Sequence, residues 1–445
     1  MISALEQLKI DNEDALLDAA LAPVLAAGMQ ARAMLRSSDD WDLTIASGGI
    51  EAVEQARSQG LSLTVYADDG RSAGMSTTDL KLETIRRLAQ ECLALAEAGA
   101  PDPASRLPET GQCGLVQVAD LDDDGRGHDP DGLTKVILTA DALARADARV
   151  VATHRSGASS HLGRWRLRTT QGVDLSHQST RYALQLVVVA EQDHEKQMGW
   201  DVSSSRQAAR LRDPETIAQT ALRRATEGFG WRAVSSAAVP VVFDNRSASE
   251  LLGLIGGLVS GSAIYRGASC WADQRGKQVA SEQVTIIDDA TLAGESASRP
   301  CDDEGVRSAR LTVIDAGVVQ HWLTDTYSAT RLDLPLTGHA AGCSNLRLQP
   351  GANSREDLLR QMGTGLLVTT TQGHGVDLAS GQWSKGVGGF WVENGDIVHP
   401  VQGITLAGRL QDLFQGVQAI GNDPLPERAI ASPSLLVTGL TMGGA

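Results

Sequence analysis

Aromatic side chains are scarce in this sequence, at 4% of 445 residues, and there are only five cysteines. Cys92, Cys113, Cys270, Cys301 and Cys343 are odd in number, far apart and form no CxxC pair. That spacing encodes neither a disulfide framework nor a zinc knuckle, and it points to reduced thiols in a cytoplasmic protein. Positive charge is also in deficit: 39 Lys and Arg stand against 55 Asp and Glu, a net charge of −16. A duplex-binding surface must be cationic to displace the counterions around phosphate, so direct nucleic-acid binding is not expected. Long apolar runs are missing too. The longest, residues 251–264, is too short for a bilayer and is broken by Gly253, Gly256, Gly257 and Gly261, so no membrane span is expected. The first residues carry Glu6, Asp11, Glu13 and Asp14 and lack the cationic start and apolar core of a secretory signal. What is present, 42% hydrophobic and 21% charged residues, suits a soluble globule long enough for two or three domains of roughly 150 residues each.

Periodicity predicts an α+β fold. Residues 12–35 repeat Ala and Leu at helical spacing, and Leu43, Ile45, Leu61, Leu63 and Val65 then alternate as strands do. Residues 51–59 fit an edge strand or a short helix. Residues 80–95 form a helix with Thr78 or Asp79 placed to cap it, which closes an N-terminal α+β domain over residues 1–100. Residues 101–131 are rich in Pro, Gly and Asp and look like an acidic linker. Within it Asp120, Asp122, Asp124, Gly125 and Asp131 match calcium-loop positions, with Asp where the bidentate Glu belongs, and a solvated linker is the alternative reading. A central mixed α/β region follows over residues 132–232, with helices at 131–146 and 214–229 around antiparallel strands. Residues 233–445 form a large, mainly antiparallel β domain around one glycine-rich helix, 245–262. Three interior glycines, Gly253, Gly256 and Gly257, cost that helix roughly 1 kcal/mol each relative to Ala. Either a partner or peptide backbone approaches that flank, or the helix packs closely inside its own domain.

Chemistry-bearing motifs are mostly wanting. Nine His include no i,i+4 pair that would place two ring nitrogens on one ion, and His194-Glu195 has no second His in either the HExxH or the HExxxH pattern. Lys385 follows Ser384 without the glycines of a phosphate loop, and Gly386, Gly388 and Gly389 suit a bulge or turn. Neither GxSxG nor SxxK marks a nucleophile. Cys343, between Gly342 and Ser344, is the most interesting thiol, although a buried structural thiol explains it as well.

Several blocks in the last third, taken together, are specific. Thr337-Gly-His-Ala-Ala-Gly-Cys-Ser-Asn345, Met362-Gly-Thr-Gly-Leu-Leu-Val368, Gly388-Gly-Phe-Trp-Val-Glu-Asn-Gly395, Ile404-Thr-Leu-Ala-Gly408, Gly421-Asn-Asp423 and Ser432-Pro-Ser-Leu-Leu436 resemble the TldD/PmbA (TldE) family, on the PmbA side. Tyr66, Asp69-Gly70 and Ser76-Thr-Thr-Asp-Leu80 resemble its N-terminal signature, so the likeness runs from about residue 40 to the end. The resemblance implies a cytosolic peptidase built from two related subunits. In its TldD type a helix carrying HExxxH and a C-terminal Cys hold zinc, whose bound water attacks an amide. Aligned through Arg266-Gly267, that motif falls here on Leu252-Gly253-Leu254-Ile255-Gly256-Gly257, and residues 428–434 supply no Cys. The resemblance therefore implies a metal-free, non-catalytic subunit with no cofactor of its own, zinc residing in a TldD-like partner. Partners would be that paralogue or a second copy, with extended peptides as substrates and no catalytic or metal residue in this chain. Tyr265, Arg266, Arg331 and Asn345 are the candidate peptide-binding residues lining the shared chamber, with turn or hydrogen-bond anchoring as their alternative role. A self-sufficient homodimeric peptidase, or a regulator acting through protein contacts as the family's gyrase-modulator label suggests, are the other two readings.

Overall fold

The structure is a computed structural model that describes residues 4–425 and 427–444. Helix α1 (Glu13–Ala26) buries Leu16, Leu17, Ala20 and Val24. The helical spacing in the sequence runs on to residue 35, but the chain turns at Gly28, whose φ of 71° is left-handed, and enters strand β1 (Gln30–Ala46). A non-glycine side chain would resist that conformation, so the turn is set by one residue. The tight Ser47-Gly48 turn, both residues at positive φ, leads into β2 (Gly49–Tyr66), and β3 (Ser72–Thr77) follows. Residues 51–59 are therefore strand, and residues 49–59 are exposed on both faces. Helix α2 (Leu82–Glu97) has Lys81 at its N-cap, while Asp79 accepts from the Lys81 amide and the Thr84 hydroxyl.

Asp129 caps α3 (Pro130–Arg145) by accepting from the Gly132 amide. Then come β4 (Val150–Thr153), β5 (Ser156–Thr169), β6 (Asp174–Gln192), β7 (Glu195–Ser205) and α4 (Pro214–Thr226). Asp193 and His194, both at positive φ, form the β6–β7 hairpin turn, and Glu195 opens β7. All seven strands make one antiparallel sheet in the order β3-β2-β1-β5-β6, with β4 and β7 both against β6. The division expected at residues 100 and 132 runs through this sheet, because β1 pairs with β5 from Arg32↔Thr169 to Ile45↔Ser156. Odd-numbered residues at both ends of β1 face the helices: Ala31, Ala33 and Leu35 meet α1 and α2, while Trp41, Leu43 and Ile45 meet α3 and α4.

The acidic segment before α3 is tied down rather than free. The Gly114 amide donates to the Gly305 carbonyl at 2.9 Å and the Val116 amide to the Pro300 carbonyl at 3.0 Å. Its carboxylates do not converge as a calcium loop requires: Asp120 pairs with Arg210, Asp122 accepts from the Asp124 amide, and Asp124 pairs with Arg126.

Beyond residue 236 the chain builds two further sheets around α5 (Asn245–Leu258). One has five strands, in the order Val318–Val319, Arg310–Asp315, Ile286–Asp289, Leu346–Leu348, Ile430–Ala431. The other has nine, with Val241–Phe243, Gly365–Gln372, Gln382–Glu393 and Asp396–Arg409 at its centre. Helix α5 packs against strands of both, and Leu252, Ile255 and Leu258 join Phe243, Trp271 and Trp383 in one core. The glycine-rich helix ends at Leu258; the short helix Gly261–Tyr265 follows after Ser260. The α+β class expected from the sequence is the observed one.

Candidate functional site

Two surfaces converge on α5. Its N-terminus is set by Asp244, which accepts from the Ser247 amide at 2.8 Å, and its first turn lies against the N-terminal sheet. Buried Arg246 reaches Asp201 of β7 and lies over the Trp200 ring, 5.1 Å from its centroid. Asp201 also takes Arg212 at 2.6 Å, and Arg212 reaches Glu427 at 3.2 Å. Burying this many charges is costly unless they are paired, so the cluster fixes how the two halves meet.

The other surface is the glycine flank. At the positions where HExxxH would stand are Leu252, which is buried, Gly253 and Gly257. A Cβ on Gly253 would have only the Ile430 methyl near it, at 3.7 Å. One on Gly256 would meet the Cys343 sulfur at 3.2 Å, and one on Gly257 would meet the Leu378 methyl at 2.8 Å. Close packing within the domain thus accounts for Gly256 and Gly257, whereas Gly253 has room. The chemistry of this donor set does not fit zinc: beside leucine, isoleucine and bare backbone the flank meets a single thiol, Cys343, short of the three ligands a zinc site needs. Among the described residues no group of three or more His, Cys, Asp or Glu is placed to hold a metal. Burial pushes the Cys343 thiol up, with Asp288 adding to the effect, which is the opposite of what a nucleophile needs.

Three of the four residues singled out in the sequence come together. Tyr265 and Tyr327 meet edge to face at 5.4 Å; Arg266 lies over Tyr265 and Arg331 over Tyr327. Asp102 accepts from the Tyr327 hydroxyl at 2.8 Å and pairs with Arg331 at 3.0 Å, and both donors hold its carboxyl below the usual range. Arg266 is exposed and has no carboxylate partner among the described residues; its Nε donates to the Tyr265 hydroxyl at 2.9 Å. Tyr327, which sequence reasoning missed, is the hinge of this patch. Asn345 lies elsewhere, with 0% exposure: its Nδ2 donates to the Asp289 carbonyl and the Ser298 hydroxyl, and its Oδ1 accepts from the Ala297 amide. It is a buried anchor, and the chamber-lining role expected of it is corrected here.

His339 and Ser344 of the same block are likewise buried anchors. His339 Nε2 faces Asp288 at 3.1 Å, and Asp288 also accepts from the Ser344 amide at 2.7 Å and from the Ser344 hydroxyl. The serine bonds the aspartate, not the histidine, and all three are buried, so no catalytic triad is formed.

Between β7, α4 and the face of the nine-stranded sheet lies a cleft of about 390 Å³. Met198 and Trp200 stand on one wall; Thr370, Gly386, Gly388 and Gln402 are among the residues on the other. The strands there are irregular. Val387 pairs with Ile404 and Gly389 with Val401, which sets Gly388 against both Gln402 and Gly403, and Thr369 is an extra residue in the neighbouring strand. The Gly386–Gly389 run thus lies at a bulge, as its composition suggested.

The chain as a whole has relatives among known proteins. Family models match residues 31–96 as PmbA/TldA metallopeptidase domain 1, 124–228 as the central domain and 236–444 as the C-terminal domain. The chain is 33% identical over 399 residues to metalloprotease PmbA of Escherichia coli O157:H7, covering 89% of this chain and 88% of that protein. It is 31% identical over 404 residues to the PmbA homologue of Haemophilus influenzae, with 89% and 88% covered. Among solved structures, a candidate modulator of DNA gyrase from Bacteroides thetaiotaomicron superposes with a TM-score of 0.90 at 25% identity, covering 98% of this chain and all of that one. TldE from Thermococcus kodakarensis, at 18% identity, shares the fold with a TM-score of 0.82 over 96% of this chain and all of that one. The chain belongs to the PmbA/TldD metallopeptidase family.

Proposed function

We propose that this protein is a metal-free subunit that pairs with a zinc-bearing TldD-like relative in the cytoplasm and helps hold unfolded, extended peptides for cleavage by that partner. The observation that carries the reading is the identity of Leu252, Gly253 and Gly257 on α5, faced by Ile430. Zinc hydrolysis needs three protein ligands and a base to take the proton of the bound water. At the motif positions this helix supplies none of them, and its one carboxylate, Glu250, accepts from the Thr371 hydroxyl. The exposed Tyr–Arg patch around Tyr265 and Arg266 consists of the side chains that most often anchor interfaces, which supports a chamber wall completed by a partner. Residues 49–59 of β2 have no strand on their outer edge among the described residues, as strand addition requires, and main-chain pairing would accept peptides of many sequences.

The test is peptidase activity on an unstructured peptide, with metal content measured for this chain alone and after mixing with a TldD-type subunit. Activity and zinc are expected only in the mixture, and a chelator should remove both. Chelator-sensitive hydrolysis by the chain alone overturns the reading in favour of a self-sufficient homodimer. Capture of gyrase but of no zinc-bearing relative replaces it with a regulatory role. Within the patch, Arg266→Ala should weaken peptide capture by the complex without unfolding the subunit; unchanged binding by calorimetry removes Arg266 from the site.

A further inference from the structure

Arg224, on the last turn of α4, lines the cleft between β7 and the nine-stranded sheet. Its side chain is 14% exposed, and its guanidinium makes no hydrogen bond among the described residues. The closest carboxylate, Asp244, stands 3.8 Å away and is already committed to capping α5. The neighbouring acids are spent as well: Asp201 serves Arg246 and Arg212, and Glu227, which also lines the cleft, holds Arg223 at 2.7 Å. Burial and the charge of Arg246 bring the Arg224 pKa down to about 10. A buried cation with unused donors is expensive, and the expense falls when an anion docks against it.

The rest of the cleft is made for a chain rather than for a compact anion. Gly386 and Gly388 leave one wall as bare backbone at a bulge, and a Cβ on Gly386 would come no closer than 3.7 Å to Gln372. Opposite stand Met198, 63% exposed, and Trp200, 37% exposed, two large apolar groups lining the same cleft. At about 390 Å³ the space suits a few extended residues and not a folded domain.

We propose that this cleft is a carboxylate-reading peptide subsite: extended main chain lies along the Gly386–Gly388 wall, and Arg224 receives a carboxylate from the peptide. The proposal rests on the peptide-holding role given above and names the feature of the peptide that is read. The carboxylate comes from the C-terminus of a fragment or from an Asp or Glu side chain, and the guanidinium fork takes either in a bidentate pair.

Three six-residue peptides distinguish these sources by calorimetry on the full chain alone: one with a free C-terminus and no acidic side chain, its C-terminally amidated form, and an amidated form carrying one internal Glu. Tighter binding of the free-terminus peptide than of its amide, by about tenfold or more, assigns the terminal carboxylate; recovery by the Glu peptide assigns the side chain. Arg224→Gln should abolish the difference, Arg224→Lys should keep part of it, and Gly386→Val should weaken every peptide alike. Equal binding of all three peptides to the native chain, no binding of any, or a difference that survives in Arg224→Gln overturns the proposal. The peptide comparison on the native chain stands even where a variant fails to fold. Hydrolysis plays no part in it: an active mixture with carboxylate-blind binding sinks only this inference, whereas carboxylate-dependent binding without activity in the mixture sinks only the paired-subunit reading.

Discussion

Two buried polar clusters in this chain are built to different standards. Around Asp288 every group is matched: His339, the Ser344 amide and the Ser344 hydroxyl all meet its two oxygens, and Asn345 beside it spends each of its polar atoms on a neighbour. At the junction of the two halves the matching is incomplete: Arg224 Nε, Arg246 Nη1 and Arg212 Nε, and Asp201 Oδ2 as well, have no hydrogen-bond partner among the described residues. A fully matched cluster has nothing left to offer a ligand and works as a lock on the backbone. A cluster with unspent donors beside a cleft has capacity in reserve. Family-like sequence blocks lead to the first cluster, and unmet hydrogen-bonding capacity leads to the second.

The sharpest way to break this contrast is Asp201→Ala, which strips Arg246 and Arg212 of their shared counter-ion. It should cost about 3–5 kcal/mol in chemical denaturation, the price of leaving buried charge unpaired. A loss near zero would mean that water already compensates these cations. Next comes a half-buried group outside both clusters. Burial pushes the His177 imidazole down to about 4 from 6.5. The folded protein keeps it neutral while the unfolded chain takes up a proton, so stability contributed at neutral pH is lost as pH falls from 6.5 to about 4. The full effect is on the order of 3 kcal/mol, and denaturation midpoints of His177→Phe across pH should lack that slope.

Asn345→Ala is expected to lower stability by about 1–3 kcal/mol and leave peptide binding unchanged, because it orphans buried partners far from the cleft. An altered peptide affinity would return Asn345 to the functional surface. Arg224→Gln should do the reverse, changing stability by less than about 1 kcal/mol because it removes an under-paired charge. Smallest of all, Gly253→Ala should stabilise the isolated chain by roughly 0.5–1 kcal/mol, since its Cβ has room and alanine restrains the unfolded state. If a partner's backbone reaches that flank, the same methyl should weaken the mixed complex in a titration.

Helices α2 to α5 were legible because their apolar residues recur at three and four, and the polar residues before α3, α4 and α5 are the observed caps. Less legible was the sheet. Pairing of β1 with β5 joins segments separated by two helices and the acidic stretch, and nothing local in either strand names the other. The alanine-rich run after residue 12 supports helix and buried strand equally, and only Gly28 separates them. At the site, the missing HExxxH and the bulge-forming glycines could be read directly, whereas Tyr265, Arg266 and Arg331 were singled out by family-like blocks and their meeting in one patch is a fact of the fold. Asn345 was misplaced because a family-like block need not face a ligand. Arg224 was invisible in sequence, since its interest lies in the partners it does not have.

The β1–β5 pairing also sets a timetable. As the chain leaves the ribosome, β1 and β2 can close as a hairpin early, but the other edge of β1 stays open until residues 156–169 have been made. The later part waits longer still, because Thr441–Gly443 pairs with both Asp396–Arg409 and Ala237–Ala238. A fragment cut near residue 100 would therefore carry an unfilled sheet edge, and one lacking the last strand would leave residues 237–238 without their neighbour. Expression of this protein in pieces should yield aggregation-prone halves, whereas in the whole chain those particular edges are filled.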